Sequence, residues 1–215
     1  MSNNFLKICG FGEIFNYIRE RGIAGANFDD DFENLNGTKW IIYIADKNFE
    51  MSKVKSISEI AAENKILSLC ISPYALKLEK YFDSVLEVEG NFEEIYKAVK
   101  GITDLMLVGY PQNKVDVDWM WFREFFEEVE FGKILVGESK NSVAEIVENI
   151  LKKIPATKNL LMNIKGDRNE LSMLDINDAT QKLAKKFPDA EIVWGVTEDN
   201  QLANKFFVVM ATEVI

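Results

Sequence analysis

Two glycines near the start of the chain have the spacing of a phosphate-binding turn. Gly10 and Gly12 follow the apolar run 5–9, and the residues after them have helical spacing. Phosphate binds at such a strand-to-helix turn when backbone N–H groups can approach it and the helix dipole attracts it. Glu13 comes next, however, and would place a negative charge against a triphosphate. A plain tight turn explains Gly10 and Gly12 at least as well as a remnant cofactor site does.

The absence of histidine limits the chemistry further. The 215-residue sequence has no histidine and two cysteines, Cys9 and Cys70, each within an apolar run. A Cys/His zinc site and a histidine-based nucleophile system therefore cannot form. We expect both cysteines to be buried and reduced. The carboxylate run Asp29–Asp31 lacks the spacing of a calcium loop, so we expect no metal site.

Charge and hydropathy exclude two classes of partner. The formal net charge is −10, and the acidic groups are spread over both halves of the sequence. Such a field repels nucleic acid and anionic lipid. No window reaches the ~18 apolar residues that a membrane span needs, and the N-terminus lacks the pattern of a secretory signal. We expect a cytoplasmic protein without nucleic-acid or membrane partners.

Strands and helices alternate over the first ninety residues. The run Trp40–Ala45 is almost continuously apolar, which is typical of a strand covered on both faces. The alternation predicts an α/β fold whose N-terminal unit is a Rossmann-like parallel sheet. The predicted strands are 5–10, 40–45, 65–72 and 84–88, and the predicted helices are 13–22, 57–63 and 75–82.

The rest of the chain alternates less regularly. An amphipathic helix at 91–100 leads to a predicted hinge at Pro111. The order of elements after the hinge predicts an α+β domain with a mixed sheet. Its predicted helices are 119–129, 142–151 and one beginning near 171, and its predicted strands are 133–138, 158–166, 190–195 and 205–211.

The order and spacing of motifs after residue 92 resemble the tubulin/FtsZ family, the GTPases of bacterial division and the cytoskeleton. The resemblance covers about residues 92–215, is best in the C-terminal domain, and is weaker before residue 92. It implies the fold class above, with an FtsZ/tubulin C-terminal domain. The matching segments are Gly101-Ile-Thr-Asp-Leu-Met, Val115-Asp-Val-Asp-Trp-Met-Trp, Ile134-Leu-Val-Gly-Glu-Ser, residues 160–166, Ile176-Asn-Asp-Ala, and residues 192–202.

The family's GTP-binding loops are degenerate in this sequence. The first glycine-rich loop is reduced to Gly10-Phe-Gly12, followed by bulky residues. The family's second loop, rich in glycine, should follow Trp40–Ala45, but residues 46–55 contain no glycine and begin with Asp46. Without small residues, backbone amides cannot surround a phosphate. We therefore expect no bound cofactor and no GTPase activity, with GTP binding as the alternative.

A further catalytic element of the family is a loop whose carboxylates act on the nucleotide of the neighbouring subunit. By this resemblance Asp116 stands where the family has an Asn, Asp118 keeps the family's first Asp, and Trp121 replaces the second Asp. Asp116 and Asp118 are then what remains of this loop, and at most one carboxylate of the family's pair is kept. Asp118 serves equally as the N-cap of the helix that begins at Trp119. The face of that helix is also a candidate interface, although a fully buried face explains its aromatic residues as well. The interface candidates are Asp118, Trp119, Trp121, Phe122 and Phe125.

These observations predict three segments: a reduced Rossmann-like unit at 1–91, a linking helix region at 92–110, and an FtsZ/tubulin C-terminal-like domain at 111–215. We expect an FtsZ-like protein without a functional GTP site. It would serve a bacterial cytoskeletal or division system as a non-catalytic assembly or regulatory module. Its partner would be another protein or a second copy, and a filament-forming FtsZ relative is one candidate.

Two alternatives stay open. One is a divergent GTPase that binds GTP at Gly10–Gly12 and forms filaments. The other is a small-ligand module that uses the same scaffold for an uncharged ligand. The resemblance also implies a tail peptide for membrane-anchor partners, and we expect it to be missing because the sequence ends shortly after the last predicted strand.

Overall fold

The computed structural model describes residues 5–28, 35–106, 113–115, 117–167, 169–199, 202 and 206–213. The chain falls into two compact units. Unit 1 comprises residues 1–96 and 126–132, and unit 2 comprises residues 97–125 and 133–215. The division at residues 91 and 110 that the sequence suggested stays a prediction.

Unit 1 is built on a parallel sheet. The strand order is β2-β1-β3-β4-β5, and each adjacent pair runs parallel, as the alternation of strands and helices predicts. The elements are β1 (Leu6–Gly10), α1 (Glu13–Arg21), β2 (Ala26–Asn27), β3 (Trp40–Ile44), α2 (Met51–Asn64), β4 (Leu67–Ser72), β5 (Ser84–Val88) and the start of α3 (Phe92–Met106).

The central strands of unit 1 are buried on both faces. Every residue of β1, β3 and β4 is buried, which explains their almost continuous apolar sequences. Cys9 and Cys70 lie within this core as free thiols, and burial raises the pKa of the Cys70 thiol. Tyr43 stacks on Phe82 with 5.7 Å between the ring centroids. Phe82, which lies outside the helices and strands, therefore packs its ring onto this core.

The predicted helix at 75–82 is wrong. Residues 73–83 form turns and irregular backbone between β4 and β5. The Asp83 carboxylate accepts hydrogen bonds from the backbone N–H of Ser68, at 2.7 Å, and from its hydroxyl, at 2.8 Å. Leu78 and Phe82 are buried in the core of unit 1. Their spacing suggested a helix, but long-range contacts with β4 and the core hold the segment in another conformation.

Unit 2 is built on a mixed sheet, as predicted. The strand order is β7-β10-β8-β9-β6, with β8 and β9 parallel and the pairs β10/β8 and β6/β9 antiparallel. Besides the rest of α3, the elements are β6 (Asn113–Val115), α4 (Trp119–Glu128), β7 (Phe131–Ser139), α5 (Val143–Leu151), β8 (Asn159–Gly166), α6 (Met173–Lys186), β9 (Glu191–Glu198) and β10 (Phe206–Glu213).

Alternate residues of β8 serve the two faces of this sheet. Leu160, Met162 and Ile164 belong to the apolar core shared with α5 and α6. The side chains between them point to the opposite face, because successive residues of a strand alternate. There the Asn163 amide donates to the carbonyl oxygen of Gly101 in α3, at 2.7 Å. A methyl group on Gly101 would overlap the side chain of Val209, so α3 lies directly against the sheet.

A buried ion pair joins α3 to β8. Lys165 is 3% exposed, and its ammonium group contacts the carboxylate of Asp104 and lies 3.4 Å from that of Asp199. Lys100 donates to the same Asp104 carboxylate at 2.7 Å. Burial lowers the pKa of Lys165, and the nearby Asp104 charge offsets part of this effect. Such a pair depends on each partner staying in place.

We predict that Asp104→Asn destabilises the protein strongly. Lys165 then keeps a buried charge whose one remaining carboxylate in the described network is that of Asp199. Removing one member of a buried pair costs about 3–5 kcal/mol of unfolding free energy. Urea unfolding measures this loss. The control, Glu148→Gln, breaks the exposed Lys182–Glu148 pair and should leave the unfolding free energy nearly unchanged, because solvent screens an exposed pair. Equal losses in the two variants would contradict the prediction.

Candidate functional site

The parallel sheet of unit 1 brings three segments to one edge. The carboxyl ends of β1, β3 and β4 are followed by Phe11–Gly12, by residues 45–50 and by Pro73–Tyr74. Ligands of open α/β sheets bind outside the carboxyl ends of the strands. We call these three segments, with the start of α3, the strand-end region. It contains the predicted phosphate turn and the segment where the family has its second glycine-rich loop.

Gly10 is required by packing between strands. It pairs with Ile44 of the neighbouring β3. A Cβ atom at Gly10 would lie 2.5 Å from the Ile44 carbonyl oxygen and 3.1 Å from the Phe15 ring. No side chain fits in this space. The glycine is therefore explained without any bound anion.

Gly12 lies against a carboxylate. Its φ of +94° is a conformation that favours glycine, and it is the N-cap of α1 without a side-chain hydrogen bond. A Cβ atom there would lie 2.8 Å from a carboxylate oxygen of Asp46. The Asp46 carboxylate thus lies beside the N-terminus of α1, which is where a helix attracts a phosphate.

The segment after β3 carries acids as well. The other Asp46 oxygen accepts a hydrogen bond from the Lys47 backbone N–H at 2.6 Å. Glu50 is the N-cap residue of α2, and its side chain makes no capping hydrogen bond. The first turn of α1 similarly begins with the exposed Glu13. Two helix N-termini of the strand-end region are therefore flanked by negative charge.

The N-terminus of α3 is capped by its own side chains. The Asn91 side-chain oxygen accepts from the backbone N–H groups of Glu93, at 2.9 Å, and Glu94, at 3.1 Å. The Glu94 carboxylate in return accepts from the Asn91 backbone N–H at 2.8 Å. This reciprocal arrangement is a capping box. It occupies the amides that a phosphate would need.

The net charge is concentrated in unit 1. Its sequence ranges hold 10 basic and 19 acidic residues, a formal charge of −9, whereas those of unit 2 hold 15 basic and 16 acidic residues. A comparison of the two halves of the sequence does not show this difference. Residues 126–132 lie in the second half but belong to unit 1, and they add three acids to it. Unit 1 as a whole therefore repels anions.

A cavity of about 640 Å³ opens in the strand-end region. Three aromatic side chains line it, each from a different segment: Tyr17 from α1, Tyr74 after β4, and Phe92 at the start of α3. Sequence reasoning missed this cavity. The three rings are far apart along the chain, and the one usable signal was the position of Tyr74 and Phe92 just after a predicted strand and just before a predicted helix.

Glu93 organises one wall of the cavity. Its carboxylate accepts a hydrogen bond from the Tyr17 hydroxyl at 2.8 Å and forms an ion pair with Arg21 at 2.7 Å. The bond to Glu93 raises the pKa of Tyr17, because ionised tyrosine could no longer donate it. The Arg21 guanidinium also lies over the rings of Tyr17 and Tyr96, with 4.7 Å and 5.3 Å to the centroids. The carboxylate and the cation thus hold α1 against the first turns of α3.

Asp118 caps α4. Its carboxylate accepts a hydrogen bond from the Met120 backbone N–H at 2.7 Å. This is the N-cap geometry that the sequence offered as one reading of Asp118. Asp116 lies outside the described residues, as do the hinge at Pro111 and the acidic run Asp29–Asp31. Of these two carboxylates the structure describes that of Asp118, and there it caps a helix.

The aromatic residues of α4 divide into buried and exposed groups. Phe122 is fully buried and Phe125 is 5% exposed, so these two interface candidates lie in the core. Trp119 is half-buried and stacks on Phe122, with 5.8 Å between centroids. Trp121 is 61% exposed, and the neighbouring Met120 is 57% exposed. Among the interface candidates on this helix, Trp121 is the aromatic residue available to a partner.

Comparison with solved structures decides the fold. The FtsZ dimer of M. jannaschii, in its empty form, matches with a TM-score of 0.78 and 15% identity, over 96% of this chain and 87% of that chain. CetZ1 from Haloferax volcanii, a GDP-bound monomer, matches with a TM-score of 0.58 and 9% identity, over 84% and 66%. The chain has the FtsZ/tubulin fold. The resemblance seen in the sequence is confirmed at this level.

The other comparisons and the described residues give no further indication of function. Neither protein-family models nor curated proteins gave a match. Among the described residues, no three or more Cys, Asp or Glu side chains are grouped so as to hold a metal ion. The helices that the structure describes are too short or too polar to cross a membrane.

We predict that Asp118 acts in stability through its cap. Asp118→Ala should lower the unfolding free energy by about 0.5–2 kcal/mol, because the Met120 N–H loses its partner. Asp118→Asn is the matched control, since asparagine caps as well as aspartate does and removes only the charge. Urea unfolding of the three proteins tests this. An equal loss in both variants would assign the effect to charge and contradict capping.

Proposed function

We propose that this chain is an FtsZ-like protein without a functional GTP site, acting as a non-catalytic assembly or regulatory module in a cytoskeletal or division system. The observation that carries the proposal is the Asp46 carboxylate beside Gly12 at the N-terminus of α1. It puts negative charge where the scaffold would otherwise attract a phosphate.

The magnitude of this repulsion supports the proposal. Two unit charges 4 Å apart near a protein surface interact by about 4 kcal/mol. A triphosphate carries several charges, and two further acids of the strand-end region lie at helix N-termini, Glu13 in the first turn of α1 and Glu50 as the N-cap residue of α2. The capping box at Asn91 and Glu94 also withdraws the amides of α3. Together these groups oppose GTP at each helix terminus of the region.

A role through surfaces is supported by α4 and by the structural neighbours. One neighbour is an FtsZ described as a dimer, so assembly occurs on this fold. Met120 and Trp121 are consecutive residues near the start of α4, and both are exposed. Tryptophan is enriched among the residues that dominate binding energy at interfaces. We place the contact of this chain with a second copy, or with an FtsZ relative, at these two side chains.

The absence of a GTP site has a direct test. We expect GTP with Mg²⁺ at 1 mM to leave the thermal midpoint unchanged and the purified protein to release no guanine nucleotide on acid treatment. A ligand present at 100 times its dissociation constant would stabilise the fold by ~2.7 kcal/mol. A filament-forming FtsZ measured alongside is the positive control. A shift, or released nucleotide, would instead support the divergent GTPase.

The proposed contact at α4 has a matched pair of variants. In sedimentation velocity, we expect the protein to self-associate or to co-sediment with a filament-forming FtsZ. Trp121→Ala should weaken that association at least about tenfold, the effect of losing a binding hot spot. Leu174→Ala, which truncates another exposed apolar residue of unit 2, should have no effect. A strict monomer that leaves FtsZ polymerisation unchanged would remove the idea.

A further inference from the structure

The sulfur atoms of this chain divide into buried and exposed ones. The sequence has two cysteines and seven methionines, of which Met1 lies outside the described residues. Cys9 and Cys70 are at most 1% exposed, and burial raises the pKa of the Cys70 thiol, which opposes formation of the reactive thiolate. Three methionines are equally buried, at 1% exposure or less: Met106, Met162 and Met210. Oxidants in solution therefore do not reach these five residues in the folded protein.

The exposed methionines of the described residues all lie at the start of helices. Met51 is the first residue of α2, Met173 is the first of α6, and Met120 is the second of α4. They are 40%, 58% and 57% exposed, respectively. Among the described sulfur atoms, these three thioethers are therefore the ones that an oxidant in solution meets.

Hydrogen peroxide converts such a thioether to a sulfoxide without any other reactant. The sulfur lone pair attacks one peroxide oxygen and forms the S–O bond, and the O–O bond breaks. The second oxygen leaves as hydroxide and takes the proton of the first oxygen, so that water is released. The methionine is oxidised to the sulfoxide and the peroxide is reduced to water.

Two of the exposed methionines belong to consecutive apolar pairs in unit 2. Met120 precedes Trp121, which is 61% exposed, and Met173 precedes Leu174, which is 76% exposed. The two methionines match in exposure and in their position within the first turn of a helix. They differ in one respect, because Trp121 belongs to the contact proposed above and α6 does not. Met173 is therefore an internal control for Met120.

Oxidation changes what Met120 offers to a partner. The thioether is flexible and apolar, and it adapts to the surface that it packs against. The sulfoxide is polar and chiral. In a contact, the sulfoxide oxygen leaves water and costs free energy unless it finds a hydrogen-bond donor. In the free protein the exposed side chain stays in water, so the fold is unaffected. Oxidation at this position therefore acts on association.

We propose that Met120 is a reversible oxidation site and that its sulfoxide weakens the contact made by α4. The oxidant is a peroxide, and methionine sulfoxide reductases reverse the change. The effect on association rests on the proposed function, whereas the oxidation site itself does not.

Peptide mass spectrometry after a short treatment of the full chain with hydrogen peroxide tests the site. Met120 and Met173 should be oxidised at similar rates and at least about tenfold faster than the buried methionines, which react only after local opening of the fold. Unfolding in concentrated urea should remove this difference. Oxidation of Met120 in the folded protein at the rate of Met162 or Met210 overturns the assignment.

Sedimentation velocity tests the effect on association, after catalase has removed the peroxide. Treatment of the wild-type chain should weaken its association, with itself or with an untreated filament-forming FtsZ, at least about tenfold, and the reductases should restore it. Met120→Leu keeps an apolar side chain and removes the sulfur, so peroxide should not change the association that this variant shows. The matched control Met173→Leu should remain as sensitive to peroxide as the wild type.

The outcomes separate this inference from the proposed function. Equal sensitivity of the two leucine variants to peroxide overturns the inference, and so does a wild-type association that oxidation leaves unchanged. If the untreated chain does not associate, the proposed function fails and the effect on association fails with it. The oxidation rates of Met120 and the buried methionines then decide the oxidation site alone.

Discussion

The close approach of β1 and β3 at Gly10 sets the geometry of the strand-end region. The Ile44 carbonyl oxygen occupies the space where a side chain at Gly10 would lie. Because the two strands pair parallel and in register up to this point, α1 must leave the sheet directly after Gly10 and return along its face. The N-terminus of α1 then lies next to the first residue that follows the end of β3 and Ala45, which is Asp46. Backbone packing thus brings a helix dipole and a carboxylate together.

This geometry explains how a phosphate turn can persist without a phosphate. Gly10 is fixed by the neighbouring strand, and Gly12 by its positive φ and by the Asp46 side chain. Neither constraint involves a bound anion. A helix N-terminus carries about half a positive charge, and an internal carboxylate satisfies it as a ligand would. In the sequence these glycines suggest a nucleotide site. In the structure they are consistent with a closed turn, and the negative charge at the helix N-terminus is supplied by the Asp46 side chain of the same chain.

The sequence specified most of the fold and little of the site. Continuous apolar runs such as Trp40–Ile44 predicted buried strands, because burial on both faces leaves no polar position. The helix predicted at 75–82 is wrong. Its apolar residues pack in the core without helical backbone, and the hydrogen bonds of Asp83 to β4 hold the end of the segment. The cavity was not predictable, since Tyr17 and Phe92 become neighbours only through the crossing of separate elements. The order of motifs identified the fold family. The residue types in those motifs could not show that the Asp46 carboxylate lies beside Gly12.

The division of charge bears on the proposed assembly. Unit 1 holds nearly all of the net charge, whereas the sequence of unit 2 is almost balanced. Surfaces of like charge repel within a Debye length of about 8 Å at physiological salt. A contact between two copies is therefore opposed where unit 1 would meet unit 1. It is opposed less where unit 2 takes part, and Trp121 and Met120 belong to unit 2. Added salt should accordingly strengthen self-association, the reverse of what contacts built on opposite charges would show.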